Sequence, residues 1–164
     1  MTRRLFWDAL LLLLLVIGVY ISSATPYEKQ DLRQSIDRVV DDEQVKQQVG
    51  GISFHYGSKE ISVESVGVAG FLEFFIRKGT HFTFFALLTF FAFRLLRHFC
   101  SANAALPWSG LFAVVAAILD EWHQTFTPGR TGMLADVILD SAGVMVSLLL
   151  IYLFLVIQRA RNRV

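Results

Sequence analysis

Four stretches of this chain are apolar for long enough to cross a hydrocarbon core, and no other feature limits its fold so strongly. A core about 30 Å thick needs roughly 20 helical residues. The stretches run over residues 5–23, 79–96, 104–122 and 133–157; the first contains Leu10 to Leu15 without a break and the second is rich in phenylalanine. With no water to satisfy a bare peptide group, each must be a helix. Of the 164 residues, 54% are hydrophobic and 18% charged, an apolar excess beyond that of a soluble domain. The 15 phenylalanines exclude disorder. A single cysteine, Cys100, excludes a disulfide-stapled fold. A net charge of +1 argues against a nucleic-acid partner, which would call for a basic excess. The expected architecture is an all-α polytopic membrane protein: one domain over residues 1–164, a four-transmembrane-helix bundle carrying an extracytoplasmic loop module at residues 24–78.

The first span has a second reading. Arg3 and Arg4 precede it, and Ser22-Ser23-Ala24 would suit a signal peptidase. Its apolar run, however, exceeds the roughly 7–15 residues of a signal-peptide core, and Asp8 within it calls for a partner in a retained bundle. Orientation follows from arginine. With the N-terminus inside, the cytoplasmic segments hold Arg3, Arg4, Arg94, Arg97, Arg159, Arg161 and Arg163 and no acid, whereas residues 24–78 hold nine acids against seven bases. The positive-inside rule then places both termini in the cytoplasm.

The loop module has its own pattern. Thr25-Pro26-Tyr27-Glu28 fits a helix start, with Thr25 as N-cap and Pro26 at the first helical position. Leu32, Ile36, Val39 and Val40 recur at helical spacing, which predicts an amphipathic helix to Gly50-Gly51. Ile52, Phe54 and Tyr56 alternate, Gly57-Ser58 makes a turn, and Ile61 and Val63 follow, which predicts a short β-hairpin. Val66 to Ile76 reads as a short interfacial helix feeding the second span. The module either caps the bundle or is a spacer.

The ionisable groups near the spans carry the functional information. A charge at mid-membrane costs about 2.5–3.5 kcal/mol on insertion scales, so such residues face a bundle interior or a wet cavity. Here they collect at one face: Arg77, Lys78 and His81 at the start of the second span; Asp120, Glu121, His123 and Gln124 at the end of the third; Arg130 in the connecting turn; Asp136 and Asp140 at the start of the fourth. Asp136 and Asp140 are four apart and share a helical face. The short turn with Pro128-Gly129 makes the third and fourth helices antiparallel neighbours, so Glu121 and His123 should lie near Asp136. Gly143, one turn below Asp140, permits close helix approach. Each residue also has a plainer reading. Arg77 and Lys78 would snorkel, Asp136 and Asp140 would pair with Arg130 and Lys78 to lock the bundle, the histidines would satisfy single hydrogen bonds, and Trp122 and Phe126 would belong to an interfacial belt. Asp8, near the opposite face, reads as structural. Cys100 falls in the short cytoplasmic turn, as a reduced thiol or an acylation site.

The stretch Asp120-Glu121-Trp122-His123-Gln124-Thr125-Phe126-Thr127-Pro128-Gly129-Arg130-Thr131-Gly132, with Asp136-Val137 and Asp140 after it, resembles the motif of the VanZ-like membrane proteins. So do Arg77-Lys78 with His81-Phe82, and Ser22-Ser23 with Pro26. The resemblance covers about 120 residues, in blocks that leave out the 27–65 loop. It implies a small multi-pass protein of the bacterial cell membrane, in a family whose name-giving member lowers susceptibility to teicoplanin; no reaction is securely attached to it. The ligand-binding residues carried over are Lys78, His81, Asp120, Glu121, His123, Gln124, Arg130, Asp136 and Asp140.

Three functions follow. The first is a binding protein for an amphiphilic or lipid-linked ligand at the outer leaflet, a wall precursor or a lipoglycopeptide, with Arg77, Lys78 and Arg130 holding phosphate or carboxylate and the second-span phenylalanines meeting the acyl chain. The second is an intramembrane enzyme on a lipid-linked substrate, with His81, Glu121 and His123 as candidate catalytic groups. The third, a proton or ion pathway, is disfavoured because the acids stay in one half. In the enzyme reading Glu121 and Asp136 would orient the histidine or bind a divalent metal, but the metal spacing is weak, since a His-Glu-x-x-His helix is missing and Glu121 and His123, two apart, lie on different helix faces; no metal or cofactor is therefore expected. The partner is membrane lipid, and an oligomer would bury more of the polar face.

Overall fold

A computed structural model describes residues 3–162, so Arg163 of the basic tail lies outside the described residues. Its elements in order are α1 (Arg3–Ala24), a 3-10 turn (Tyr27–Lys29), α2 (Arg33–Asp37), α3 (Asp42–Val49), the strands β1 (Ser53–Tyr56) and β2 (Lys59–Ser62), then α4 (Val63–Leu96), α5 (Ala102–Gln124) and α6 (Leu134–Arg161). Four helices, α1, α4, α5 and α6, are long and apolar enough to cross a membrane. They cover the four stretches expected from hydropathy, short only of Met133, which is the N-cap of α6, and run past most of their ends, because an apolar run marks only the part of a helix that meets hydrocarbon.

The largest departure is in α4. Residues 66–76 do not form a separate interfacial helix. Ser62 caps α4 by accepting a hydrogen bond from the Ser65 backbone N–H, while the Ser65 hydroxyl accepts from the Ser62 N–H, a reciprocal capping box. The helix breaks once, at Gly67 (φ 74°, ψ 169°), and then continues to Leu96. Its buried stripe, Val68, Phe71, Phe85, Leu88 and Ala92, recurs at helical spacing across Arg77-Lys78-Gly79. Those charges stay inside the helix and point into a polar cavity instead of ending it.

The single amphipathic helix expected over 25–50 is three pieces. Thr25 does not cap it; its hydroxyl donates to the Ile21 carbonyl and closes α1. Pro26 precedes the 3-10 turn. Asp41 starts α3 anew by accepting from the N–H groups of Glu43 and Gln44, the behaviour of a strong N-cap. The hairpin forms as expected, with Phe54 opposite Ile61 and Tyr56 opposite Lys59. Gly57 takes φ +60° in the two-residue turn, which an L side chain would resist.

The module caps the bundle. Ile61, Val63, Val68 and Phe71 are buried together, with Val40, Val45, Val49 and Phe54 packed on them, so strand, short helix and the upper part of α4 share one apolar cluster. Below it, Phe85, Leu88, Ala113, Ala117 and Val144 form the core among α4, α5 and α6, which Leu12, Leu15 and Val19 of α1 join. Because short turns join α4 to α5 and α5 to α6, α4 and α6 run in the same direction. At the end away from the module, Asp8 meets Arg94 at 2.7 Å and His98 at 2.9 Å; the carboxylate in the first span has its partners on α4.

At Gly143, α6 touches the α4 backbone directly. A Cβ there would sit 2.3 Å from the Phe82 carbonyl oxygen, a backbone atom that cannot swing aside. Gly143→Leu should therefore force the two helices apart and destabilise the fold by about 1–3 kcal/mol, the usual range for overpacking. A lowered midpoint of thermal unfolding in detergent micelles checks this; an unchanged midpoint would show that the helices are not held this close.

Candidate functional site

Two helical spacings build the centre of the site. On α4, Lys78 and His81 are three apart; on α6, Asp136 and Asp140 are four apart, so each pair shares a face. Parallel helices then bring the pairs together as two rungs. Lys78 forms an ion pair with Asp136 Oδ1. His81 Nδ1 faces Asp140 Oδ2 at 3.6 Å, too long for a hydrogen bond. Asp140 is wholly buried, and neither of its carboxylate oxygens has a hydrogen-bond partner.

The third helix adds Asp120, Glu121 and Gln124, all buried. The Gln124 amide donates to Asp120 Oδ2 at 2.8 Å and to Glu121 Oε1 at 3.3 Å. Glu121 Oε2 accepts from the Met133 N–H at 2.9 Å, which satisfies a donor at the start of α6 that the helix itself leaves bare. Gly132 permits this fold-back: a Cβ there would lie 2.3 Å from the Glu121 carbonyl oxygen. His81, Glu121 and Asp140, one from each of three helices, each offer a ligand atom within 4.8 Å of the others. A spacing argument confined to one helix does not find this group.

Two expected members stand elsewhere. Glu121 and His123 are about 200° apart around a helix that turns 100° per residue, so His123 leaves the cluster. It stacks on Tyr20 (ring centroids 5.1 Å apart), and its Nδ1 lies 3.0 Å from the Ser23 hydroxyl. Arg130 pairs with neither Asp136 nor Asp140; it donates to the Ser22 carbonyl and the Gln30 side chain. Its turn is held by Gly129 at φ +71° and by the Thr127 hydroxyl, which donates to the Ser23 carbonyl. Burial and the neighbouring Arg77 charge push the Arg130 guanidinium down from its usual value, leaving it protonated all the same.

A family model, VanZ/LLP1, matches residues 7–155. The chain belongs to the VanZ/LLP1 family. With its four apolar helices it is a multi-pass membrane protein of that family. No curated protein and no solved structure matches the chain significantly.

Above the cluster, this VanZ/LLP1 chain has a polar cavity of about 370 Å³ bordered by Arg77, Lys78, His81, Arg130, Tyr56 and Glu73. Arg77 lies over the Tyr27 ring at 4.9 Å, and Lys78 over the Tyr56 ring at 4.8 Å. Arg77 Nη1 and Arg130 Nε are buried without hydrogen-bond partners. Three contributors were not anticipated. Glu73, buried on α4, accepts from the Tyr27 hydroxyl at 2.8 Å and the Leu32 N–H at 3.2 Å; burial and that bond push the Tyr27 phenol up to about 12. Tyr56, at the tip of β1, donates to Asp136 Oδ1 at 2.5 Å and contacts the Ala135 carbonyl at 2.9 Å. Burial first, then Asp136, holds its phenol well above the usual tyrosine range, so it remains a donor. The one clue to Tyr56 was its alternation with Ile52 and Phe54; Glu73 showed itself only as an acid in an apolar run.

Tyr56→Phe keeps the ring and removes the donor to a charged acceptor, a bond that contributes about 1.5–3 kcal/mol. The module should then open more often, seen as faster protease cleavage between residues 38 and 60 with the bundle intact. Cleavage at the wild-type rate would show that this bond does not hold the module down.

Proposed function

We propose that this VanZ/LLP1 protein binds an amphiphile with an anionic head and an acyl tail at the outer leaflet of the bacterial cell membrane. One observation carries the reading: Arg77 and Arg130, each with a buried guanidinium nitrogen that lacks a partner, border the same cavity as Lys78. A buried donor left bare is costly, and guanidinium forks match phosphate and carboxylate oxygens. Of the residues carried over from the motif, Lys78 and Arg130 would hold the head. His81, Asp120, Glu121, Gln124, Asp136 and Asp140 would form the floor beneath it. A place for the tail lies between α1 and α5, where Val16, Val19, Trp108, Leu111 and Phe112 line an apolar groove of about 480 Å³ that reaches Asp120 and His123. The second-span phenylalanines are a minor part of the tail site in this reading; Phe84 and Phe85 border only a small cleft beside His81.

A lipid-linked wall precursor and a teicoplanin-like lipoglycopeptide share this chemistry. Protein in lipid nanodiscs should retain undecaprenyl phosphate over a zwitterionic lipid in native mass spectrometry, and teicoplanin serves as the second probe. Arg77→Ala and Arg130→Lys should each weaken retention about 10–100-fold, the equivalent of one charge-assisted hydrogen bond. Equal retention of the zwitterionic lipid, or no loss in the double variant, would refute the reading. Retention of teicoplanin alone would assign the drug, and not the precursor, as the ligand.

A second reading, an intramembrane enzyme acting on a lipid-linked envelope substrate, is favoured by His81, which borders the cavity beside the buried carboxylate of Asp140. Retained binding with a lost cellular phenotype in His81→Ala would select it.

The loop end is read as extracytoplasmic, because Arg94, Arg97, Arg159 and Arg161 lie at the opposite end of the bundle. Cys100 is the sole cysteine, so Cys100→Ser with Ser58→Cys places one thiol at the hairpin tip. A membrane-impermeant maleimide should label it in intact spheroplasts. Labelling only after permeabilisation would reverse the topology.

A further inference from the structure

Asp140 poses a problem that the headgroup reading does not solve. It is wholly buried, and neither oxygen has a hydrogen-bond partner. As a carboxylate it would be a buried charge with His81, 3.6 Å away, as its nearest base; as a carboxylic acid its O–H would still lack an acceptor within hydrogen-bond distance. Nearby, Asp120, Glu121 and Asp136 add three more carboxylates, and only Asp136 has a lysine or arginine within ion-pair distance among the described residues. What is missing on the face of Asp140 is positive charge, at a point that His81 and Glu121 also reach.

We infer that His81, Glu121 and Asp140 form a binding site for a first-row divalent metal ion, with zinc or manganese as the fitting chemistry. One imidazole and two carboxylates are a mixed nitrogen–oxygen donor set, which suits these ions better than the all-oxygen sites of calcium or magnesium. Two carboxylates and a neutral imidazole also balance a charge of +2. The donor atoms lie within 4.8 Å of one another; a triangle of that edge has its centre about 2.8 Å from each corner, so an inward shift of under about 1 Å brings all three to the 2.0–2.2 Å of zinc ligands. The supporting contacts are those a metal carboxylate needs. Glu121 is oriented by the Met133 N–H and the Gln124 amide. His81 Nδ1 already faces Asp140 without bonding to it. Because His81 also borders the polar cavity, the remaining coordination positions open toward it. The ion would tie α4, α5 and α6 together at one point.

The inference stands independently of the headgroup reading. Full-length protein in detergent micelles, stripped with EDTA, is dialysed against zinc chloride or manganese chloride and its metal content measured. One ion per chain is expected, with affinity lowered at least about 100-fold in Asp140→Asn and in Glu121→Gln, both checked for a monodisperse elution profile; the exposed-site variant Glu43→Gln should bind as wild type does. X-ray absorption of the zinc-loaded wild type reads the donors without any variant: one imidazole with oxygen ligands supports the site. No uptake by the wild type, equal affinity in well-folded Asp140→Asn, or a spectrum with sulfur or without imidazole overturns it. Lipid retention measured on the same samples separates the two readings, since loss of zinc uptake alone leaves the anion-binding cavity standing and loss of lipid retention alone leaves the metal site.

Discussion

The structure turns on a constraint of the bilayer: a charged side chain on a spanning helix must find its partner inside the protein. On α4 and α6 that constraint is met by register. The two helices run in the same direction, so residues 78 and 81 on one advance with 136 and 140 on the other: Lys78 closes on Asp136, and His81 comes opposite Asp140 at 3.6 Å without bonding to it. Gly143 lets the helices come close enough for the rungs to meet. A slip of one residue would rotate an α6 acid about 100° away and strand it beside lipid. Polar pairing here sets register and direction; the packing of Phe85, Leu88 and Val144 supplies area but would accept a slip more readily.

The same constraint acts at both ends of the bundle with different results. At the end away from the module, Asp8 has a base beside each carboxylate oxygen, Arg94 at 2.7 Å and His98 at 2.9 Å, although its Oδ1 makes no hydrogen bond. At the loop end, acids outnumber close cations, Asp140 has only His81 at 3.6 Å and no hydrogen bond, and two arginines that border the cavity each keep a buried nitrogen unpaired. What sets the loop end apart is its excess of carboxylates over close cations, beside a cavity that Arg77 and Arg130 border.

How much of this could be read from the residues follows from the range of each interaction. The spans are local properties of about 20 residues, and all four are present. The Lys78–Asp136 pair was legible because both helices obey one period and short turns fix their neighbours. What failed was inference across a break in period. Arg77-Lys78-Gly79 looks like the edge of a span because charge interrupts hydropathy, yet the helical hydrogen bonds do not depend on hydropathy and continue. Glu121 and His123 were expected together near Asp136 because the turn is short, although their two-residue spacing already put them on different faces; His123 goes to Tyr20 and Ser23, and the histidine that meets Glu121 comes from α4, 40 positions earlier. The single helix expected over 25–50 fails for a local reason, since the Thr25 hydroxyl is engaged with α1 and Asp41 is a stronger start.

The loop module is the part least legible and the part that completes the cavity. Tyr56 reaches from the hairpin to Asp136, the acid that already holds Lys78, so one carboxylate couples a strand, α4 and α6. Tyr27 does the same for Glu73 from the other side and lies under Arg77. Without these phenols, Asp136 and Glu73 would each lose a donor, and the cations beside them would stand in open water, where their attraction for an anion is weak. Beside the Tyr27 and Tyr56 rings the same charges are less screened, and their attraction for an anion is stronger. The insertion between the first two spans thus sets the dielectric in which the polar groups of the bundle operate, and its tyrosines belong to the site as much as the helical acids do.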